Sequence, residues 1–126
     1  MPTGIQPPDL IALTPAIIEV KWSKPLGPNG IITMYTIERK LARGSDFEVI
    51  ATFGPEEETL TFVDQGGDLL RFTTYSYSVK VLNGAGTGIG PWANVTTSSA
   101  SKNIVFIYKR ELYFFYLSST LFIFFR

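Results

Sequence analysis

Residues 73–83, TTYSYSVKVLN, alternate large and small or polar side chains with a period of two. The large side chains that share one face of the extended chain are Tyr75, Tyr77, Val79 and Val81. Successive side chains in a strand point to opposite faces, so this spacing predicts a long β-strand with one buried face.

The same alternation recurs in shorter segments, and turn signals separate them about every ten residues. The predicted strands lie near residues 10–13, 17–23, 31–40, 47–53, 60–64, 73–83 and 92–97. In the fourth of these, FEVIATF, the pattern places Phe47, Val49 and Ala51 on one face. No window has a helical period. The pattern therefore predicts an all-β fold, a seven-stranded immunoglobulin-like antiparallel β-sandwich.

The composition argues against most catalytic chemistry. The chain has no cysteine and no histidine, which excludes disulfides, thiolate metal sites and the commonest general base. We expect no enzymatic activity, no catalytic residue, no cofactor and no metal site. The formal net charge is zero, and lysine and arginine are scattered through an acidic first hundred residues, so we expect no nucleic-acid binding.

The glycine run GAGTGIG at residues 84–90 raises the alternative of a phosphate-binding loop. A dinucleotide loop would need its third glycine at position 89 or 91, where Ile89 and Pro91 stand, and a helix would have to follow. The run instead predicts a long, mobile hairpin between the last two strands. The residues of this candidate interaction loop are Gly84, Ala85, Gly86, Thr87, Gly88, Ile89 and Trp92.

Two further sequence features could carry a ligand or a modification. The acidic run 56–58, with Asp64 and Asp68 downstream, could attract a hard cation, but it lacks the ordered loop spacing of calcium ligands and is expected to be solvated. The triplet Asn94-Val95-Thr96 is an N-glycosylation sequon in or near an edge strand, so Asn94 is a candidate glycosylation site.

Several motifs together resemble the fibronectin type III family over about residues 5–97. They are Pro7-Pro8, VKWSKP, PNGIITMYTIERK, the spaced residues from Leu69 to Val81, and Asn83 followed by GAGTGIGPWA. The resemblance implies strands A, B and E facing strands C, C′, F and G. The sequence departs from the family pattern at Arg71, where family members often have proline.

The resemblance also assigns structural roles. Trp22 would be the core tryptophan of strand B and Tyr35 the core aromatic of strand C. Tyr75 would be a corner tyrosine whose hydroxyl bonds back to the turn that carries Leu69. The full set expected to be structural is Trp22, Tyr35, Phe62, Leu69, Tyr75, Tyr77 and Val79.

For function, the resemblance implies an extracellular protein-interaction and spacer module, part of a longer secreted or membrane protein, that serves cell adhesion or matrix assembly. Its partners would be adjacent fibronectin type III repeats and matrix or cell-surface proteins.

The predicted domain covers residues 5–98, and residues 99–126 form an apolar aromatic tail of different composition. A membrane-associated segment over 104–125 would make the chain a membrane-tethered receptor fragment, but Lys109, Arg110 and Glu111 fall inside it, which is costly in a bilayer. A tail that folds back on the domain as an added strand or helix is a second alternative, but the segment lacks a clean period of either kind. A tail translated from an intron or a shifted frame would also have this composition, and this third interpretation is favoured, with the membrane span next.

Overall fold

The computed structural model describes residues 1–56, 60–65 and 67–98, together with the backbone of residues 107–108 and 111–112. In these residues all regular structure is β. The strands of the sandwich are β1 (Asp9–Thr14), β2 (Ile17–Lys21), β3 (Ile32–Leu41), β4 (Phe47–Phe53), β5 (Thr61–Asp64), β6 (Thr74–Asn83), β7 (Gly86–Ile89) and β8 (Ala93–Thr96).

The strands form two antiparallel sheets. The order in the first sheet is β1-β2-β5, and the order in the second is β4-β3-β6, with both β7 and β8 paired to β6. This arrangement confirms the predicted all-β sandwich and its division into A-B-E and C-C′-F-G strands. It contains eight strands rather than seven because the last predicted strand, 92–97, corresponds to β8, and a further strand, β7, forms within the glycine run that was predicted to be a loop.

The glycine run is not the long hairpin loop that the sequence predicted. Gly86–Ile89 form strand β7, which pairs in register with the end of β6. Only Gly84 and Ala85 remain as the turn. The carbonyl oxygen of the Asn83 side chain fixes this turn by accepting hydrogen bonds from the backbone N–H groups of Ala85 at 2.9 Å and Gly86 at 3.1 Å.

Two glycines of this run make room for the first residues of the chain. A Cβ atom at Gly88 would overlap the backbone oxygen of Pro2, and one at Gly90 would lie 2.6 Å from the side chain of Ile5. Both approaches are closer than a van der Waals contact, so these positions exclude a side chain. Pro2 and Ile5 are buried as a result. The glycines therefore provide close packing, not mobility.

Strand β4 also differs from its predicted pattern. Its register with β3 shifts between Ala51 and Val49, which leaves one extra residue, Ile50, as a β-bulge. The bulge reverses the alternation, so Phe47 and Val49 are exposed while Ala51 packs against the core. The expectation that these three side chains share one face was wrong because strict period-two counting does not allow for an inserted residue.

The core lies between the sheets and contains the residues that the sequence singled out. Six of the seven are buried: Trp22, Tyr35, Leu69, Tyr75, Tyr77 and Val79. Phe62 is partly buried and packs against them, with its ring centroid 5.9 Å from that of Phe53. The hydroxyl of Tyr75 accepts a 2.7 Å hydrogen bond from the backbone N–H of Leu70, next to Leu69. This bond has the geometry expected of a tyrosine corner.

Beyond the sandwich, the described backbone includes one more antiparallel pair, β9 (Ile107–Tyr108) and β10 (Glu111–Leu112). The remaining expectations for the tail, including a membrane segment over 104–125, lie outside the described residues. Within the described part, no helix is long and apolar enough to cross a membrane.

Candidate interaction surfaces

The two ends of the sandwich have distinct surfaces, which we call the N-terminal and C-terminal poles. Strand β3 runs from one pole to the other, and its ten residues span about 33 Å at roughly 3.3 Å per residue. The N-terminal pole contains residues 1–4, the β2–β3 connection and the β6–β7 turn. The C-terminal pole contains the β3–β4 turn and the β5–β6 connection. The backbone thus begins at one pole and reaches Ser98 at the other.

A hydrogen-bonded cluster orders the N-terminal pole. The side-chain amide of Asn83 donates to the backbone oxygens of Pro28 at 2.9 Å and Asn29 at 3.0 Å. The side-chain amide of Asn29 in turn donates to the backbone oxygen of Met1 at 2.9 Å and to the hydroxyl of Thr3 at 3.2 Å. These bonds hold the backbone firmly while leaving large apolar side chains in solvent. Those side chains are Met1, Leu26 and Ile31, which are 63%, 78% and 85% exposed.

The C-terminal pole has a similar character. The hydroxyl of Thr97 donates to the backbone oxygen of Leu70 at 2.6 Å, and the backbone N–H of Phe72 donates to the oxygen of Ser98 at 3.0 Å. Phe72 also has a φ of 50°, a conformation that non-glycine residues seldom adopt. Leu41, Leu70 and Phe72 are at least half exposed. These side chains expose apolar area on a backbone that hydrogen bonds hold in place.

A buried polar network fills the interior just inside the C-terminal pole. Arg39 of β3 donates to Asp64 of β5 with its Nη1 atom 2.7 Å from Oδ2, and the hydroxyl of Tyr77 on β6 donates to the same oxygen at 2.6 Å. All three side chains are buried, and they join the two sheets. The Nη2 atom of Arg39 lies 2.5 Å from Glu48 and 3.9 Å from Asp68, both at the surface.

The network shifts two pKa values. Burial alone would lower the pKa of Arg39, but its hydrogen bond to Asp64, the charge of Asp64 and the hydrogen bond to Glu48 together raise it. Burial, and then the hydrogen bond to Asp64 and its charge, raise the pKa of Tyr77 well above its ordinary value. Arg39 therefore stays charged and Tyr77 stays neutral at physiological pH.

The network also bears on the acidic residues that were considered for cation binding. Asp64 lies at the end of β5, and its carboxylate is occupied by Arg39 and Tyr77, so it is not available to bind a cation together with the acidic run. In the described residues no group of three or more acidic side chains is placed to hold a metal ion. Residues 57–58 lie outside the described residues.

A third surface lies on the outward face of the larger sheet, and we call it the lateral cluster: Glu38, Lys40, Phe47, Lys80 and Trp92. The rings of Phe47 and Trp92 approach each other with centroids 6.1 Å apart. The ammonium group of Lys40 lies 4.9 Å from the centroid of the Trp92 ring, and that of Lys80 lies 5.1 Å from the centroid of the Phe47 ring.

The lateral cluster explains why outward-facing polar side chains are buried. Glu38 is only 2% exposed although it does not face the core, and Lys80 pairs with it at 3.0 Å. Ser76 and Ser78 on the neighbouring strand are buried as well. The rings and lysine stems on this face therefore form a partial third layer, with Trp92 still 37% exposed.

The residues predicted to form an interaction loop are divided between these surfaces. Gly84 and Ala85 are exposed at the N-terminal pole, whereas Gly88 is buried beneath residues 1–5. Thr87 and Ile89 are exposed on β7, and Trp92 belongs to the lateral cluster.

Sequence reasoning missed Arg39, because an isolated arginine is normally interpreted as solvated. The available signal was its spacing: Arg39 follows the buried residues Tyr35 and Ile37 at intervals of two.

The comparisons with known proteins agree with the fold. Residues 5–99 match the family described as the fibronectin type III domain, and the chain belongs to this family.

The lead-in with Pro2 and Gly4, the WSKP motif and the PNGIIT motif further resemble repeats of usherin. Usherin from Mus musculus is 39% identical over 99 residues, and usherin from Rattus norvegicus is 40% identical over 99 residues. Each match covers 79% of this chain but only 2% of the usherin sequence.

Among solved structures, the chain is similar to the sixth fibronectin type III domain of human fibronectin type III domain containing protein 3. The TM-score is 0.68 and the identity is 25%, and the match covers 80% of this chain and 90% of that domain.

Proposed function

We propose that this chain is a non-catalytic interaction and spacer module of a longer extracellular or cell-surface protein, and that it serves cell adhesion or matrix assembly. Its partners would be adjacent fibronectin type III repeats at the poles and matrix or cell-surface proteins beside them. The similarity to usherin repeats supports membership of a longer protein.

The observation that carries this proposal is the exposure of large apolar side chains at both poles. Ile31 is 85% exposed at one pole and Phe72 is 75% exposed at the other. Exposed apolar area contributes free energy only when a partner removes it from water, about 25 cal/mol per Å². Their placement where the backbone begins and leaves the sandwich suits contacts between modules in series, with the ordered sheets setting the spacing.

A solid-phase binding assay tests the proposal. The chain is immobilised and exposed to a basement-membrane extract and to the cell-surface fraction of adherent cells. We expect the paired substitution Leu70→Ser and Phe72→Ser to reduce binding, because it removes apolar contact area at the C-terminal pole. The matched control is Ile11→Ser, which changes an apolar side chain that is 48% exposed on the smaller sheet. Equal binding by the pole variant and the control would refute the role of the poles.

A further inference from the structure

We propose that Asn94 carries an N-linked glycan and that its first N-acetylglucosamine packs on the ring of Trp92. The group that covers the exposed part of Trp92 in the lateral cluster is then a sugar that is attached to the chain itself. The inference uses only the extracellular location from the proposed function, and it is independent of any contact at the poles.

The position of the sequon on β8 is the first support. Asn94 and Thr96 share one face of β8, about 7 Å apart, and Trp92 directly precedes this strand, two residues before Asn94. Asn94 pairs with Ser76 of β6, and Tyr77 pairs with Ala93 next to Trp92. Asn94 and Thr96 are exposed whereas Ala93 and Val95 are partly buried, so the face that carries the sequon is the outward one.

The hydrogen bonding of Asn94 is the second support. The hydroxyl of Ser76 donates to Oδ1 of Asn94 at 2.5 Å, which orients the side-chain amide. Its Nδ2 atom makes no hydrogen bond within the part of the chain that the structure describes, and the residue is exposed. Nδ2 is the atom that forms the bond to sugar, so the fold can accept a glycan here without losing an interaction.

The attachment is a group transfer from a lipid-pyrophosphate-linked oligosaccharide. A bond forms between Nδ2 of Asn94 and the anomeric carbon of N-acetylglucosamine, and the bond from that carbon to the pyrophosphate oxygen breaks. The departing lipid pyrophosphate keeps the bonding electrons, and the amide nitrogen releases one proton to solvent. The hydroxyl of Thr96 completes the acceptor triplet.

The chemistry of Trp92 is the third support. The ring is 37% exposed and is held in place by Phe47 and by the ammonium group of Lys40. An aromatic face carries partial negative charge, and it attracts the weakly positive C–H groups on the face of a pyranose sugar. Because Trp92 lies two residues before Asn94, we expect the first sugar to reach the exposed part of this ring.

The first experiment measures attachment. The full chain is translated behind a cleavable signal peptide in the presence of microsomes, and the products are separated by gel before and after endoglycosidase H. We expect an enzyme-sensitive band shift of one glycan for the native chain and for Thr96→Ser. We expect no shift for Asn94→Gln or Thr96→Ala. Absence of the shift in the native chain would overturn the proposal, and because the microsomes supply export, the result does not depend on the proposed function.

The second experiment measures packing on the ring by acrylamide quenching of tryptophan fluorescence. The chain has two tryptophans, and Trp22 is only 7% exposed, so quenching reports mainly on Trp92. Chains trimmed to one N-acetylglucosamine are compared with chains from which the sugar has been removed, in the same nonionic detergent. Asn94→Asp serves as the matched control for the aspartate that enzymatic removal leaves.

We expect the single sugar to lower the quenching constant clearly, because it covers the exposed part of a ring that Phe47 and Lys40 already cover in part. The Trp92→Phe variant should show weak quenching that does not change with the sugar, because only Trp22 remains. A glycosylated chain whose quenching equals that of the sugar-free chain would show that the glycan points away from Trp92 and would overturn the packing.

Discussion

The two halves of the sandwich interior are held together by different interactions. Toward the N-terminal pole the interior is apolar, with the ring centroid of Trp22 6.2 Å from that of Tyr35 and 5.2 Å from that of Phe53. Toward the C-terminal pole the same space is filled by the network of Arg39, Asp64 and Tyr77. Both halves join the two sheets, but one does so by packing area and the other by charge and hydrogen bonds.

The difference has a consequence for how each half tolerates change. When an apolar side chain is shortened, the free energy of unfolding falls in proportion to the buried area that is lost and the cavity that is created. A buried ion pair responds unequally, because removing one partner leaves the other charge without compensation in a low-dielectric interior. In the apolar half, the loss in the free energy of unfolding should therefore grow with the volume that a substitution removes. In the half that contains the charge network, the loss should depend on which member of the ion pair is removed.

The largest effect is expected for Trp22→Ala in the apolar half. The cavity should lower the free energy of unfolding by about 3–5 kcal/mol. Trp22→Phe is the control, and it should lower the free energy of unfolding by clearly less, because a phenylalanine ring keeps most of the packing. Urea denaturation followed by circular dichroism measures both, and equal losses would contradict grading by size.

Asp64→Asn should be next in size. It leaves the guanidinium of Arg39 with only the exposed carboxylates Glu48 and Asp68, so we expect a loss of about 3 kcal/mol. The matched control is Asp68→Asn, whose side chain is 75% exposed and 3.9 Å from Arg39, and it should be nearly neutral. The same denaturation assay measures both variants. A loss at Asp68 as large as that at Asp64 would mean that burial does not determine the effect.

Tyr77→Phe should cost about 2 kcal/mol at neutral pH, because it removes one hydrogen bond to a charged acceptor. It should also change the pH dependence of stability. The unfolded chain releases the phenol proton near the ordinary tyrosine pKa of 10.0, whereas the folded chain retains it because its pKa is raised. The stabilisation is therefore complete below about pH 10 and is lost as the pH rises above it.

Denaturation of the native chain and of Tyr77→Phe between pH 7 and pH 11 measures this effect. The native chain should lose stability more steeply above pH 10. The variant should keep only a weaker slope, to which Tyr35 contributes because burial raises its pKa as well. If the free energy of unfolding fell equally steeply with pH in both proteins, the proposed contribution of Tyr77 to the pH dependence would be contradicted.

The smallest effect is expected for Gly88→Ala, which probes the edge of the apolar half. A Cβ atom would meet the backbone oxygen of Pro2, so residues 1–5 must shift, at a cost of about 1 kcal/mol. Gly84→Ala is the control, because a Cβ atom there meets nothing within 4 Å. Amide hydrogen exchange should show faster exchange for Thr3 in Gly88→Ala alone. Unchanged exchange would mean that this glycine is not needed for the docking of residues 1–5.

Much of the apolar half could be predicted from the sequence, because period-two alternation identifies an inward face when that face is hydrophobic. The same logic places Arg39 on the inward face of β3, but its charge argues for solvent, and only the position of Asp64 on another strand resolves the conflict. The bulge at Ile50 and the docking of Pro2 on Gly88 were also beyond prediction, because both depend on contacts between segments distant in sequence. Only one member of the lateral cluster, Trp92, was predicted from the sequence to lie at a surface. Its neighbours Phe47 and Lys40 could not be predicted, because strand pairing brings them to it.

The most direct test of the difference between the two halves is a pair of double-mutant cycles. In the first, Asp64→Asn and Tyr77→Phe are combined, and the coupling free energy should be about 1–2 kcal/mol because both side chains share one hydrogen bond. In the second, Trp22→Phe and Tyr77→Phe are combined, and the effects should add to within about 0.5 kcal/mol. If the two substitutions of the first cycle were additive, or if the coupling free energies of the two cycles were equal, the claim that the charge network is energetically separate from the apolar packing would be contradicted.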